Sequence, residues 1–298
     1  MKYKKCFAGA LLIVLSACQP SGPGLIANDG TLTLVSEGYE FTEGPASDSL
    51  GNVYFTDQPN NRILKWDSGT GEVSVYMEPA GRANGLYVDR QGHLVAAADE
   101  VFQLWKIDRN KQYEVLAGEY NGQNFNGPND LWIDPQGGIY FTDPYYQRPY
   151  WKRTEKEIEQ ERVYYLSPDK KEISIAAENL VQPNGIIGTA DATTLYVADI
   201  GDNKTYAYEI LGNGVLGQAK LFAEMGSDGM TIDNQGNLYL TGDGVTVLDP
   251  TGEKILHIPV PEEWTANVTF GGKDQQTLFI TAMDALYSLP MKVKGTRF

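Results

Sequence analysis

Histidine and cysteine are almost absent from this chain, which has two of each in 298 residues. With only His93 and His257, there is little material for a Ser-His-Asp or Cys-His catalytic site, since both arrangements need a histidine base. Of the two cysteines, Cys6 lies in an N-terminal segment with the pattern of an export signal, so only Cys18 would remain after processing. An intramolecular disulfide is therefore not expected, and the fold must be stabilised by its core.

Positive charge and long apolar runs are scarce as well. The chain has 24 Lys and Arg against 39 Asp and Glu, which gives a formal net charge of −15 at pH 7. Nucleic-acid binding needs basic patches that neutralise phosphates, so no nucleic-acid partner is expected. The apolar run Phe7–Leu15 is too short to span a bilayer, which needs about 20 apolar residues.

The first residues predict export and a lipid anchor. Three lysines precede the apolar run, which gives residues 1–17 the pattern of a signal peptide. Leu15-Ser16-Ala17-Cys18 resembles a bacterial lipobox, in which the cysteine is lipidated and becomes the mature N-terminus; the alternative is an ordinary secretory signal that contains a cysteine. Residues 18–30, rich in Pro, Gly and Ser, predict a flexible tether. We therefore expect a location in the bacterial cell envelope, with membrane contact through Cys18, periplasmic or facing the outer membrane if the source has two membranes.

An internal repeat organises the rest of the chain. Six similar segments each begin with an oxygen-donor residue, and their starts are 39 to 55 residues apart: Glu43, Asn84, Asn129, Asn184, Asp228 and Asn267. Each continues as a short alternating strand, a turn, and a second strand that ends near an Asp. The turn has the form Asp-x-x-Gly in four repeats, beginning at Asp48, Asp89, Asp134 and Asp233. These residues suit a turn, because Asp accepts hydrogen bonds from the backbone that follows it and Gly takes a positive φ without penalty.

The repeat predicts an all-β fold. Two further strand-like runs follow in most repeats, which gives four strands of about five residues per roughly 45 residues, with almost no helical periodicity. Four antiparallel strands per repeat form the blade of a β-propeller, so we predict one six-bladed propeller over residues 31–298. The sixth repeat supplies only three strands, and Thr31–Ser36 is expected to add the fourth and close the ring.

The six starting residues predict a metal site. The first strand of each blade lines the central channel of a propeller, so these residues should surround the axis. All six are oxygen donors without any His or Cys, a set that suits a hard cation. Calcium is the first expectation, and magnesium or manganese the second. The alternative is that each side chain caps the entry turn of its blade, although capping would also tolerate Ser, Thr or Gly at some of the six.

Four motifs stand in order at the starts of blades: EGP at Glu43, NGPND ending at Asn129 and Asp130, QPNG around Asn184, and SDGM around Asp228. In these motifs the chain resembles the senescence-marker-protein/gluconolactonase family, also called regucalcin-like, from about Ser36 to Leu289. The resemblance implies one catalytic divalent metal bound by Glu43, Asn129, Asn184 and Asp228. It also implies hydrolysis of sugar lactones or other lactones, with organophosphates cleaved by some members.

The resemblance, together with the chemistry of the residues themselves, predicts roles for further residues. Asp228 is the first candidate for the general base that activates water, and Asp130, which resembles an acid that family members use near the substrate, is the second. Gly127 departs from the pattern, because some sugar-lactone members have an Arg there, and Arg82 is a candidate replacement. The expected substrate contacts are Asn84, Arg82, Tyr145 and Tyr146, and the expected ligand is a small lactone or sugar-like ester. The alternative is a binding protein and not an enzyme: a non-catalytic propeller that contains a structural metal and binds a carbohydrate or a protein partner.

The longest interval between repeats contains an insertion, Pro144–Arg162, on the face of the ring of starting residues. Its aromatic and cationic residues are expected to form a lid over an anionic or sugar-like substrate: Tyr145, Tyr146, Tyr150, Trp151, Lys152, Arg153 and Lys156. For the charged half, the alternative is a solvated loop or a short helix at Glu155–Arg162.

Other residues singled out by their types have structural interpretations. Four acids end the second strands of their repeats, and this repetition predicts blade-stabilising hydrogen bonds to the backbone: Asp57, Asp99, Asp143 and Asp199. His93 is predicted to lie in a surface turn and His257 in an outer strand. Trp66, Trp105 and Trp132 alternate within strands and are predicted to fill the gaps between blades.

Overall fold

Six antiparallel blade sheets follow one another in the computed structural model, which describes residues 24–296, and a separate two-stranded sheet follows the second of them. Five contain four consecutive strands of the chain, one of these having an extra short strand, and the sixth combines the first strand with the last three. Each innermost strand lies against the innermost strands of the two neighbouring blades. The six-bladed all-β propeller predicted from the repeat is thereby confirmed.

The strands, numbered in chain order, have the following bounds. The closing strand is β1 (Thr33–Glu37). Blade one is β2 (Thr42–Ser47), β3 (Val53–Asp57), β4 (Arg62–Trp66) and β5 (Val73–Met77). Blade two is β6 (Ala83–Val88), β7 (Leu94–Ala98), β8 (Gln103–Ile107) and β9 (Tyr113–Ala117), followed by a hairpin of β10 (Glu119–Tyr120) and β11 (Gln123–Asn124). Blade three is β12 (Leu131–Ile133), β13 (Ile139–Asp143), β14 (Arg162–Leu166) and β15 (Ile173–Ala177).

Blade four is β16 (Pro183–Gly188), β17 (Thr194–Asp199), β18 (Lys204–Gly212) and β20 (Lys220–Ala223), and β19 (Val215–Leu216) folds back on the end of β18. Blade five is β21 (Met230–Ile232), β22 (Leu238–Gly242), β23 (Gly244–Leu248) and β24 (Lys254–Ile258). Blade six is β25 (Thr265–Gly271), β26 (Thr277–Ala282) and β27 (Ala285–Pro290), completed by β1. Two short 3-10 turns, Asp99–Val101 and Ile200–Asp202, follow the second strands of blades two and four.

The ring closes through the predicted N-terminal strand. β1 pairs antiparallel with β27, so that Thr33 lies opposite Ser288 and Glu37 opposite Ala285. This pairing covers the edge of β27 that would otherwise present unpaired backbone groups.

The Asp-x-x-Gly turns have the geometry that their residue types predict. In blade one, Asp48 Oδ1 accepts hydrogen bonds from the backbone N–H groups of Leu50 (2.9 Å) and Asn52 (3.0 Å), and Gly51 has a φ of 86°. The same two bonds form at Asp89, Asp134 and Asp233. In these four blades, side-chain chemistry thus fixes where the inner strand turns outward.

The hydrophobic core lies between adjacent blades. Phe55 of blade one packs with Phe279 and Leu286 of blade six, while Trp132 of blade three packs with Ile186 of blade four. Trp66 contacts Phe279 at 4.6 Å between ring centroids, so Trp66 and Trp132 fill gaps between blades as predicted. Within residues 24–296, no helix has the length and hydrophobicity to span a membrane.

The predicted tether needs a correction at its C-terminal end. The signal peptide and Cys18 lie outside the described residues and stay predictions. Leu25, placed in the tether, is buried in the blade-six cluster, and its carbonyl accepts the N–H of Lys292 at 2.7 Å. Ile26 forms a β-bridge with Met291. The apolar pair Leu25-Ile26 therefore packs on the propeller, and the folded part begins before residue 31.

Candidate active site

The six starting residues lie together at the mouth of the channel. Five are buried, and Asp228 is partly exposed. The amide nitrogen of Asn184 donates to Asp228 Oδ1 at 2.9 Å, and that of Asn267 donates to Glu43 Oε2 at 3.3 Å. Blades four and five, and blades six and one, are thus joined through their starting side chains, as an arrangement around the axis predicts.

In most blades a glycine follows the starting residue, and it allows the inner strands of neighbouring blades to lie close together. A Cβ atom at Gly85 would lie 2.5 Å from the carbonyl oxygen of Asn129, and one at Gly229 would lie 1.9 Å from Cγ of Asn267. Blades one, two, four and five have glycine at this position, whereas blade three has Asp130. Asp130 is therefore a carboxylate at a place where most blades have no side chain.

Burial perturbs all three acids of the site. Burial raises the pKa of Glu43 well above its usual range, and the nearby charge of Asp228 raises it further. Burial raises the pKa of Asp130 to about 7 and that of Asp228 to about 6. The N–H groups of Trp264 and Asn184 offset part of the shift at Asp228, because they donate to its ionised form. Acids crowded in this way would be stabilised by a cation.

The side-chain amides of the ring present oxygen atoms that could bind such a cation. Asn184 uses its amide nitrogen to donate to Asp228 and to the hydroxyl of Tyr146, each at 2.9 Å. Its buried carbonyl oxygen has no hydrogen-bond partner among the described residues, and the same holds for the carbonyl oxygen of Asn84. Buried oxygen acceptors are normally paired, so two orphaned ones in the ring suit a hard metal ion. Within residues 24–296, no group of three or more His, Cys, Asp or Glu side chains is placed to hold a metal. A metal here would therefore depend on amide oxygens as well as on Glu43 and Asp228.

A cavity of about 490 Å³ lies deeper in the channel, on the side of the six starting residues that faces away from the mouth. It is lined by the turns that end the inner strands, including Asp89 and Asp134, and it reaches inward to Asp130 and Asn267. Asp130 therefore borders the inner cavity, whereas Asp228 binds Trp264 directly and is linked to Tyr146 through the Asn184 amide at the mouth.

The insertion crosses this mouth from blade two to blade four. At one end, Trp151 is buried and its Nε1–H donates to the carbonyl of Asp99 at 3.0 Å, while Tyr150 donates to the Asp99 carboxylate. At the other end, the Tyr146 hydroxyl accepts from Asn184, and the Tyr145 carbonyl accepts from Gln182 at 3.4 Å. Residues 145–151 of the insertion are thus held by blade two on one side of the mouth and by blade four on the other.

Only part of the predicted lid lies over the site, because several of its aromatic and cationic side chains bind the insertion or its neighbours instead. Tyr146 reaches the ring, but the Tyr145 hydroxyl donates to Gln147 instead. Among the cations, Arg153 donates to the carbonyl of Phe125 at 2.7 Å, and Lys156 pairs with Glu161 at 2.6 Å. The alternative helix at Glu155–Arg162 is wrong, because these residues form bends that lead into β14.

Known proteins share both the sequence and the architecture. A family profile described as "SMP-30/Gluconolactonase/LRE-like region" matches residues 41–284, which is most of the chain. This chain belongs to the SMP-30/gluconolactonase family. It is thereby placed among lactone-hydrolysing enzymes, as the motifs predicted.

Individual members of the SMP-30/gluconolactonase family are similar over nearly the whole chain. The gluconolactonase of Zymomonas mobilis is 30% identical over 295 residues, which cover 89% of this chain and 82% of the relative. The solved structure of a gluconolactonase from Xanthomonas campestris is 31% identical with a TM-score of 0.84, covering 90% of this chain and 92% of the other. The calcium-binding protein regucalcin of Agrobacterium tumefaciens shares the fold, with a TM-score of 0.75 at 20% identity, over 89% of this chain and 95% of that one.

Gly127, where the resemblance predicted a departure from the SMP-30/gluconolactonase pattern, lies in a crowded place. A Cβ atom at this residue would lie 3.0 Å from both Asp99 Oδ1 and Cη2 of Trp151. The insertion therefore occupies the space that a longer side chain would need.

Two arginines supply positive charge near this position. Arg82, the predicted replacement, lies 3.6 Å from Glu100 and stacks on Tyr150 at 4.4 Å, so its charge is balanced within blade two and the insertion. Arg148, which the sequence did not single out, lies 3.4 Å from Asp99 and 5.3 Å from the ring centre of Tyr146. The insertion thus brings the positive charge of Arg148 close to the six starting residues.

Trp264 is a second residue that the sequence did not single out. Its Nε1–H donates to Asp228 Oδ2 at 2.6 Å, yet the side chain remains exposed at the surface. Its only sequence signal is a lone tryptophan after two prolines, three residues before Asn267.

The residues with structural interpretations are not among the six starting residues, and most have the contacts that were predicted. Asp57, Asp143 and Asp199 each accept two backbone N–H groups from the segment before their inner strand, as predicted. Asp99 does not, because it binds the insertion. His93 lies in the Asp89 turn, and His257 lies on the outer strand β24. Trp105 lies in the cluster between blades one and two and stacks on Tyr113 of its own blade.

Proposed function

We propose that this protein hydrolyses the ester of a lactone, with a sugar lactone as the first candidate, using a divalent metal at the channel mouth. The observation that carries the proposal is the buried side-chain carbonyl oxygen of Asn184 beside Asp228, which has no partner within residues 24–296, in a chain of the SMP-30/gluconolactonase family. The names of the relatives from Zymomonas and Xanthomonas support lactone chemistry. The name of the Agrobacterium regucalcin supports calcium as the first candidate ion.

Glu43, Asn129, Asn184 and Asp228 would hold the metal. When bound, a divalent cation would supply Lewis-acid polarisation of the lactone carbonyl. The amide nitrogen of Asn184 is held by Asp228 and Tyr146, which orients its carbonyl oxygen away from both.

Asp228 is the residue we assign as general base. It is the partly exposed acid of the ring, and it contacts residues of the mouth, where a substrate can enter. In the proposed reaction, a water oxygen bonds to the carbonyl carbon while its proton passes to Asp228. The ester C–O bond then breaks, and the leaving ring oxygen takes up the proton from Asp228, which yields a hydroxy acid.

Asp130 has a different place in the proposal. It borders the cavity inside the channel and contacts the ring through Asn267, at 3.4 Å from its amide nitrogen. We therefore assign Asp130 to shaping the charge beneath the ring, and we rank it below Asp228 as a base.

The test is hydrolysis of a panel of aldonolactones and aliphatic lactones by the purified protein, with calcium or manganese and with a chelator. We expect turnover that the chelator abolishes and that falls at least about 100-fold in Asp228→Asn, because loss of a general base typically costs 10²–10⁴-fold. The matched control is Asp243→Asn, the same change at an exposed turn of the same blade.

Two outcomes would count against the proposal. Turnover that survives both the chelator and Asp228→Asn would contradict the assigned site. Metal binding without turnover of any panel member would favour the non-catalytic propeller with a structural metal.

A further inference from the structure

Trp264 is exceptional among the tryptophans of the chain. Its side chain is 37% exposed, whereas Trp105, Trp132 and Trp151 are buried. Trp66 is half-buried between blades one and six. Here a large aromatic side chain is exposed beside the polar starting residues of the blades. Ligand sites have this feature, because they combine aromatic surfaces with a few placed polar groups.

The position of this indole is fixed. Its N–H donates to Asp228, and a Cβ atom at Gly242 would lie 3.7 Å from Cη2, which is ordinary contact distance. The preceding loop contains Pro259 and Pro261, which restrict its backbone. Glu262 in this loop accepts a hydrogen bond from the hydroxyl of Tyr287 at 2.6 Å. The exposed face of Trp264 is therefore held ready at the mouth, at little cost in conformational entropy on binding.

We infer that Trp264 is a stacking platform for the substrate ring, which makes it a specificity-determining residue for cyclic, sugar-like ligands. The inference rests on the proposed function and deepens it by naming the contact that selects a substrate with a sugar-like ring. A saturated sugar ring has an apolar face of C–H groups and an edge of hydroxyls. The indole would contact the apolar face, while the carboxylate and amide groups of the ring residues would contact the hydroxyls.

A purely positioning role makes a different prediction. If Trp264 only holds Asp228 through its N–H, then Phe and Leu at this position are equally defective, because both lack the donor. If the aromatic face binds the substrate, Phe preserves most of the binding and Leu does not. The two variants therefore separate the two roles.

The kinetic experiment compares wild type, Trp264→Phe and Trp264→Leu on D-glucono-1,5-lactone and on γ-butyrolactone, which has a smaller face without hydroxyls. We expect KM for the sugar lactone to rise about three- to tenfold in Trp264→Leu and less than about twofold in Trp264→Phe. Any loss of kcat should be similar in both variants. The control is Tyr113→Leu, which removes an exposed aromatic ring from the outer strand of blade two and should leave KM unchanged. Equal KM values in the Phe and Leu variants would overturn the inference.

A binding experiment tests the platform without turnover. D-Gluconolactam, in which an amide replaces the ester, should quench the tryptophan fluorescence of the wild type and leave that of Trp264→Phe unchanged. If the wild type hydrolyses no lactone but the lactam still quenches Trp264, the proposed function fails and the platform stands. If lactones are hydrolysed while the lactam gives the same quenching in wild type and Trp264→Phe, the platform is wrong and the proposed function stands.

Discussion

Single residues decide how charge is distributed along the channel. Asp130 replaces the glycine that four other blades have after the starting residue, and it adds a third acid below Glu43 and Asp228. The carboxylate of Asp130 accepts the N–H of Leu131 at 2.9 Å and contacts Asn267, so it is held by its own strand and by blade six. One substitution in the repeat thus converts a packing position into an electrostatic one.

Asp143 allows a test of buried charge away from the ring. It is fully buried and accepts the N–H groups of Asn126 (2.9 Å) and Gly127 (2.8 Å), and burial raises its pKa to about 7. A carboxyl in an unfolded chain has a pKa of about 4, so between these values the folded protein keeps a proton that the unfolded chain has released. The stability from this group is therefore full below the unfolded pKa and is lost as the pH rises towards about 7, by up to about 1.4 kcal/mol per pH unit.

We accordingly expect the melting temperature to fall between about pH 5 and pH 7, and to fall less in Asp143→Asn. Thermal unfolding in the presence of a chelator measures this without a contribution from metal release. The exposed Asp243, changed in the same way, provides the control slope. Parallel curves for wild type and Asp143→Asn would contradict the assignment.

At the scale of elements, the strand-ending acids show what a repeat can and cannot predict. Asp57, Asp143 and Asp199 bind the backbone two and three residues before the starting residue of their blade, as the repetition indicated. The corresponding segment of blade two is bound instead by Asn61 of blade one, whose Oδ1 accepts the N–H groups of Ala80 (2.9 Å) and Arg82 (2.7 Å), four and two residues before Asn84. Asp99 is thereby released to bind the insertion, an exchange between distant residues that no local pattern encodes.

Trp264 and Arg148 were missed for the same physical reason. The fold and the ring were predictable because turn chemistry and an oxygen donor recur in every blade. The positions three residues before the other starting residues hold no aromatic side chain: Glu40, Gly81, Asn126, Val181 and Met225. Trp264 gains its meaning from Asp228, 36 residues earlier, and Arg148 from its place in an insertion that has no counterpart in other blades.

The insertion provides a matched pair of tyrosines for a test at this scale. The hydroxyl of Tyr146 accepts a hydrogen bond from Asn184, whereas that of Tyr145 donates to Gln147 at 2.5 Å. Removing the first hydroxyl costs about 1 kcal/mol of hydrogen bonding and loosens the Asn184 amide, so we expect kcat/KM to fall about five- to tenfold in Tyr146→Phe. Tyr145→Phe should stay within about twofold of wild type. Steady-state kinetics on one lactone decides the matter, and equal losses in both variants would mean that the insertion supports the fold without touching the site.

At the scale of the whole molecule, the channel combines functions that no single blade has. Each blade contributes one oxygen donor to the mouth, and the six together form an acidic and amide-lined site in a protein with a formal net charge of −15. Such a field raises the local concentration of cations. The site therefore depends on closure of the ring, because Glu43 of blade one and Asn267 of blade six meet across the point where the chain begins and ends its circuit.

Closure can be tested by shortening the chain from its N-terminus. Removing residues 1–23 leaves every described contact in place, and we expect the melting temperature to be unchanged. Removing residues 1–38 deletes β1 and the buried Leu25, which exposes the edge of β27 and uncovers part of the blade-six cluster. We expect a loss of about 3 kcal/mol or more, equivalent to roughly 6–12 °C in melting temperature for a domain of this size, together with self-association through the exposed edge. Thermal unfolding and size-exclusion chromatography measure both effects. A monomeric protein without residues 1–38 that melts with the wild type would show that three strands of blade six suffice, and that the N-terminal strand is not what holds Glu43 and Asn267 together.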